Sequence, residues 1–354
     1  MIYHLASALT AHFSTFNVMH YISFRAIMGL MSTFGLTLAL GSRFIDFSRK
    51  KFQNSARPFT PQSHQTKGST PTMGGLFILS VSIANMFLWC DWRKPELWIM
   101  TVTLSFFGAI GLLDDLYKAW YKKGIRAGLK LRLQLLCALA VTILWIWLKN
   151  PSTVVFAPIF KGIFIDLGYL IIPWVIFVIV GTSNAVNLTD GLDGLAIGTL
   201  LLNFSFFACV AYLAGHIEFA SYLQIPFADC SELTIIGGIL IGACLGFFWF
   251  NAYPAQIFMG DVGSLSLGAA LAMMAIICKQ ELLLPIAGGI FVLEALSVIG
   301  QIFSIKTFGK KLLSMAPLHH HFELQGWSES KVTLRFHIIT LMLCLCASMM
   351  LKIR

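Results

Sequence analysis

The sequence predicts an all-α polytopic membrane protein, and three observations predict it. Of 354 residues, 57% are hydrophobic and only 12% are charged, with a mean hydropathy of +0.79. A soluble domain carries about 25% charged residues, so a chain this apolar is not a water-soluble globule. The apolar residues fall into about ten runs, each near the roughly 17 to 25 residues that carry a helix across a bilayer core. Lys and Arg gather in alternate connections, as they do where basic loops stay on the cytoplasmic side.

The runs lie near residues 22–42, 74–90, 98–116, 131–148, 168–187, 194–214, 233–250, 263–278, 282–304 and 334–351. Residues 1–21 are mixed in polarity and contain His4, His12 and His20, unlike a cleavable signal peptide. The first run is therefore expected to serve as the insertion signal and to be retained. No repeat, low-complexity tract or long linker divides the chain, and residues 1–354 are expected to form a single integral membrane domain. The connections after runs one, three and nine are rich in Lys and Arg, among them Arg43, Lys67, Lys118, Lys130, Lys306 and Lys311. The opposite face offers few, such as Arg93, Lys149 and Lys279. The odd connections are thus expected in the cytoplasm, with N- and C-termini extracytoplasmic. The net charge of +9 has no basic domain outside the membrane to concentrate it, so no nucleic acid partner is expected. The eight Cys show no C-x-x-C spacing and sit mostly in apolar runs, which suits small apolar packers rather than disulfides or zinc ligands.

Chemistry is to be sought where polar residues interrupt this pattern, because a carboxylate near hydrocarbon must pair, bind a cation or face water. Between runs five and six lies Asn184-Ala-Val-Asn-Leu-Thr-Asp-Gly-Leu-Asp-Gly-Leu-Ala-Ile-Gly198. If helical, it places Asn187, Asp190 and Asp193 on one face; as a turn, it caps the following helix. The first connection holds Ser63-His-Gln-Thr-Lys-Gly-Ser-Thr-Pro-Thr-Met-Gly-Gly75, where Lys67, hydroxyls and a glycine pair suit an anion. The plainer alternative is a connector with a helix start at Pro71. After run three, adjacent Asp114 and Asp115 in Gly111-Leu-Leu-Asp-Asp-Leu-Tyr-Lys118 resemble carboxylates that hold Mg²⁺ against a diphosphate. After run seven, residues 251–264 offer Asn251 and Asp261, the latter either an N-cap or a metal ligand over bound phosphate. After run nine comes Ala316-Pro-Leu-His-His-His-Phe-Glu-Leu-Gln-Gly-Trp327. Adjacent His319, His320 and His321 cannot easily all face one ion, which favours hydrogen-bond donation to phosphate or substrate positioning over zinc binding. Glu294 and Gln301, seven residues apart in run nine, share a helical face, and Glu294 is expected in a polar network whose partner the sequence does not name.

Each of these motifs but the Glu294 pair falls in an odd connection, so one composite site on the cytoplasmic face is expected. Asp114, Asp115, Asp190, Asp193 and Asp261 among Lys67 and the three His make up the composition of a Mg²⁺-dependent phosphoryl-transfer centre. A transporter would show paired broken helices in its two halves, and a channel would show a ring of carboxylates along a pore. Neither pattern is evident.

The set PTMGG at 71–75, LLDDLYK at 112–118, NAVNLTDGLDGLA at 184–196, FMGDVGSL at 258–265 and APLHHHFELQGW at 316–327 resembles the polyprenyl-phosphate phosphoglycosyl transferases. The PLHHHFE element is similar to their muramyl-pentapeptide branch and speaks against a relative that uses another UDP-N-acetylhexosamine. One departure is Ser69, where that branch leads one to expect Gly. The resemblance implies ten transmembrane helices in the bacterial cytoplasmic membrane, a homodimeric assembly in the lipid bilayer and a cytoplasmic cleft. It implies transfer of phospho-MurNAc-pentapeptide from UDP-MurNAc-pentapeptide to undecaprenyl phosphate, with Mg²⁺ as cofactor. It further implies Asp261 as metal ligand, Asp114 and Asp115 as catalytic groups, and Lys67, Asn187, Asp193, Asn251, His319, His320 and His321 facing the nucleotide-sugar. Asp190 is expected with these substrate-binding residues, in the central polar network.

Overall fold

The computed structural model describes residues 1–10, 13–51, 70–157 and 164–352. Lys67 and Ser69 lie outside them. The helices are α1 (Ile2–Leu9), α2 (Ile22–Lys51), α3 (Gly74–Trp89), α4 (Pro95–Tyr121), α5 (Ala127–Lys149), α6 (Ile171–Thr189), α7 (Leu195–Ala214), α8 (Ile217–Leu223), α9 (Ser231–Asn251), α10 (Gly260–Ile277), α11 (Leu284–Ala287), α12 (Gly289–Phe308), α13 (Leu318–Leu324) and α14 (Glu329–Met350). Strands β1 (Val154–Phe156) and β2 (Phe164–Asp166) form an antiparallel hairpin between α5 and α6, with Val155 opposite Ile165.

Among the described residues, nine helices are long and apolar enough to cross a membrane, and α3 is a shorter apolar helix. All ten apolar runs therefore coincide with helices, and the protein is an all-α polytopic membrane protein. Run nine is interrupted. The one-turn α11 carries Pro285 at its second position, and the chain restarts as α12 after Gly288.

The centre of the bundle is α10, in which every residue from Val262 to Ile277 is buried against α3, α4, α6 and α7. Without a hydrophobic drive between helices in lipid, close backbone approach at small residues supplies much of the packing. Gly238, Gly242 and Gly246 form such a stripe along α9. A Cβ added at Gly238 would stand 2.5 Å from the Ala26 carbonyl oxygen on α2, and one at Gly246 would stand 2.5 Å from Thr37 Cβ. The outer faces of α12 and α14 stay apolar and exposed, with Leu296, Ile299, Leu334 and Ile338 turned outward.

Away from the motif-bearing end, Arg25 of α2 is buried with Glu232 of α9. Its Nη1 and Nη2 donate to Oε1 and Oε2 at 2.6 and 3.2 Å, and Nη1 also reaches the Trp89 carbonyl. Two charges in so dry a place must be paired and hydrogen-bonded, and here they are. This accounts for an Arg inside the first apolar run.

Candidate active site

Two motifs are zipped together by backbone. The Phe258 N–H donates to the Pro71 carbonyl, the Gly74 N–H donates to Phe258 and the Gly75 N–H donates to Met259, all within 2.8–2.9 Å. This ladder fixes the start of α10 beside α3. It also corrects two boundary expectations. The helix after the first connection begins at Gly74 rather than Pro71, and the N-cap of α10 is Met259, so Asp261 lies within the first helical turn.

Gly111 lets α4 approach that start closely. A Cβ there would lie 2.5 Å from Val262 Cα and closer still to the Asp261 carbonyl. The approach brings Asp114 and Asp115 of α4 to Asp261. Lys118 Nζ lies 2.8 Å from Asp114 Oδ2, 3.5 Å from Asp115 Oδ1 and 2.8 Å from Asp261 Oδ1. Lys130, at the start of α5, donates to Asp261 Oδ2 and lies 3.3 Å from Asp114 Oδ2. The remaining oxygens are also occupied. Asp114 Oδ1 accepts the Ile125 N–H at 2.7 Å, and Asp115 Oδ2 accepts the Val262 N–H at 3.2 Å. Three carboxylates and two ammonium groups thus meet in a largely buried cluster with one carboxylate in excess.

The 184–198 stretch is not one helix. Asp190 to Gly194 form a turn after α6, and Gly194 adopts φ +76°, a conformation that non-glycine side chains rarely accept. The shared helical face expected for Asn187, Asp190 and Asp193 is therefore absent. Asn187 Nδ2 donates to Ser264 Oγ on α10 at 2.8 Å, whereas the two Asp project from the turn. Burial, followed by the nearby carboxylates of Asp261 and Asp115, raises the Asp190 carboxyl from its ordinary 3.8 to about 7.

Asp193 and Asn251 tie this turn to the connection after α9. Asp193 Oδ2 accepts the Ala255 N–H at 3.0 Å. Asn251 Oδ1 accepts the Gly194 N–H at 3.2 Å, while its Nδ2 donates to the Ile257 carbonyl at 2.8 Å.

The three His point three ways. Glu294, fully buried on α12, accepts the Leu318 N–H at 2.7 Å and the His319 N–H at 3.2 Å, and pairs with His319 Nδ1 at 3.1 Å. That leaves His319 Nε2 buried, without a hydrogen-bond partner among the described residues, and directed at Gly191. His320 Nδ1 meets Glu323 Oε2 at 2.7 Å, and His321 pairs with Ser314 N–H and Gln325. Gln301, one face with Glu294, accepts the Leu312 and Leu313 N–H groups, so both residues pin the α12–α13 connection to α12.

Sequence reading missed Lys130 as a site residue, along with Ser264 and the α14 residues Glu329, Thr333 and His337. For the α14 residues the one signal is a polar side chain recurring in an apolar helix at four-residue intervals.

Along α5 and α6 an open groove of about 470 Å³ is lined by Leu135, Pro173, Ile176, Phe177, Val180, Gly181 and Asn184. At its polar end Asn184 and Gln134 exchange amide hydrogen bonds at 2.9 and 3.2 Å.

A family model described as glycosyl transferase family 4 matches residues 97–279. Phospho-N-acetylmuramoyl-pentapeptide-transferase of Aquifex aeolicus is 45% identical over 359 residues, covering 100% of both chains. The proteins of that name from Solidesulfovibrio magneticus and Citrifermentans bemidjiense are 45% and 44% identical over 358 residues, again covering 100% of both chains.

Proposed function

The chain belongs to the phospho-N-acetylmuramoyl-pentapeptide-transferase family, and from that premise we propose that it transfers phospho-MurNAc-pentapeptide from its UDP carrier to undecaprenyl phosphate. The products are lipid I and UMP, in peptidoglycan synthesis. The protein is a multi-pass bacterial membrane enzyme. The observation that carries the reading is the meeting of Asp114, Asp115 and Asp261 with Lys118 and Lys130 at the ends of three helices. Charges of both signs gathered in this way suit a site that must accept phosphates and a cation together.

In the reaction, an oxygen of the lipid phosphate forms a bond to the sugar-linked phosphorus. The bond from that phosphorus to the bridging oxygen breaks, and UMP departs with the electron pair. A phosphate monoester has its second pKa near ~6, so the nucleophile is largely dianionic at neutral pH and a protein base is optional. Asp114 and Asp115 position the lipid phosphate or hold its residual proton. Lys118 and Lys130 neutralise phosphate charge. Lys67, Asn187, His319, His320 and His321 belong to the nucleotide-sugar side, while Asp193 and Asn251 shape its wall by holding the turn against residues 252–258. The open apolar groove along α6 suits the polyprenyl chain, because its lining is hydrocarbon apart from Asn184.

Mg²⁺ fits the residues present. Asp261 would hold it through its carboxylate oxygens, which the Lys118 and Lys130 ammonium groups face in this structure, so that the ion would take the place of one of them. Among the described residues no three of His, Cys, Asp and Glu form a ready-made metal cage. Mg²⁺ is usually held by one or two carboxylates together with substrate phosphates. When bound, Mg²⁺ neutralises charge developing on the phosphoryl oxygens.

The test is UMP release by purified protein. With both substrates and Mg²⁺, UMP and sugar-linked lipid should appear in equal amounts, and none without lipid phosphate. No UMP with both substrates present overturns the reading, and UMP released before lipid is added replaces direct displacement with a phospho-aspartyl intermediate.

A further inference from the structure

The last membrane helix reaches the candidate site through three polar residues at strict four-residue spacing, Glu329, Thr333 and His337 on α14. Residues so spaced share one helical face. All three bond the backbone of the Asp193-Gly194-Leu195 turn. Glu329 Oε1 accepts the Asp193 N–H at 2.7 Å, Thr333 Oγ1 donates to the Asp193 carbonyl at 3.4 Å, and His337 Nε2 lies 3.3 Å from the Leu195 carbonyl. The His337 ring sits where Gly198 has no side chain, since a Cβ there would approach its Cδ2 to 3.1 Å and its Cε1 and Nε2 more closely. Val332 and Phe336, on an adjacent stripe, pack with Leu192 and Leu195. From the other side Asn251 accepts the Gly194 N–H.

We propose that Glu329, Thr333 and His337 form a clamp that sets the position of the Asp193 turn and thereby the affinity for the nucleotide-sugar. The proposal rests on the reading that this turn is a wall of the nucleotide-sugar site. None of the three touches substrate; they are positioning residues. Thr333 and His337 donate to carbonyls and Glu329 accepts an N–H, so the clamp fixes the turn at both polar ends of the Asp193 residue. Buried backbone groups left without these partners would turn toward other ones, and the turn would shift with them.

The test compares full-length Thr333→Val, Thr333→Ser and Glu329→Gln with wild type. KM for UDP-MurNAc-pentapeptide, KM for undecaprenyl phosphate and kcat are measured separately, with thermal unfolding alongside. Thr333→Val keeps the shape and removes one neutral hydrogen bond, so the nucleotide-sugar KM should rise about three- to tenfold. The lipid KM should stay within about twofold, and Thr333→Ser and Glu329→Gln, which keep a donor and an acceptor, should remain near wild type. An unchanged nucleotide-sugar KM in Thr333→Val overturns the clamp. So does a parallel rise in both KM values with a lowered melting point that Ser fails to rescue. Asp193→Ala, which removes the acceptor of the Ala255 N–H, tests the underlying reading by itself. A raised nucleotide-sugar KM in that variant beside a silent Thr333→Val rejects the clamp alone, whereas silence in both rejects the wall as well.

Discussion

Glu294 and His319 are joined by a buried contact of 3.1 Å between Oε1 and Nδ1, with two backbone N–H groups of α13 on the same carboxylate. Glu294→Ala leaves those donors buried without an acceptor, at a cost of about 1 to 3 kcal/mol for each. Glu294→Gln keeps one acceptor oxygen and should lose less. Thermal unfolding in detergent should therefore rank wild type above Gln above Ala. Equal melting points for all three would show that the carboxylate does not anchor α13.

Gly111 is expected to tolerate no side chain, because its neighbours across the contact are backbone atoms of Asp261 and Val262. Gly111→Ala should push α4 from α10, at about 1–3 kcal/mol of overpacking, and separate Asp115 from Asp261. Transfer rate should fall by more than tenfold. Gly35→Ala on α2, where an added Cβ meets nothing within 4 Å, should leave rate and melting point unchanged. A normal rate in Gly111→Ala would mean that the carboxylates need not meet so closely.

Asp190 carries a pH dependence whose sign follows from its surroundings. Its carboxyl is raised to about 7 by burial and by Asp261 and Asp115, against 3.8 ordinarily. The folded protein thus keeps a proton that the unfolded chain releases. The stabilisation is fully present below about pH 4 and is lost as pH rises through about 7. The melting point of wild type relative to Asp190→Asn should fall between pH 5 and 7 and level off above. Parallel curves from pH 5 to 8 would contradict the shift.

The membrane helices were legible because the bilayer imposes a length and an apolarity that each run meets on its own. The carboxylates were legible because acids near hydrocarbon demand partners, and Asp114, Asp115 and Asp261 do share theirs. What remained hidden were relations between elements distant in sequence. Lys130 reads as one more basic loop residue until the return of the chain through residues 122–126 sets it on Asp261. Glu294 needed α13, seven residues with no long periodic pattern, to acquire its partner. The break of the 184–198 stretch into helix, turn and helix depended on Gly194 taking a positive φ, whereas side-chain spacing alone allowed a continuous face. The stripe on α14 looked like ordinary polar interruptions in a lipid-facing helix because the turn that it holds lies well over a hundred residues earlier.

The central claim is that Asp261, within the Asp114, Asp115, Lys118 and Lys130 cluster, serves phosphoryl transfer. It is tested most directly by initial rates of UMP release for wild type, Asp261→Asn and, as a control, Asp166→Asn in the exposed hairpin. Removal of one group that organises transition-state charge typically costs about 10²- to 10³-fold in rate. Asp261→Asn should lose at least about a hundredfold at saturating substrates and Mg²⁺ while remaining folded, and Asp166→Asn should match wild type. A folded Asp261→Asn protein that releases UMP at the wild-type rate would contradict the claim.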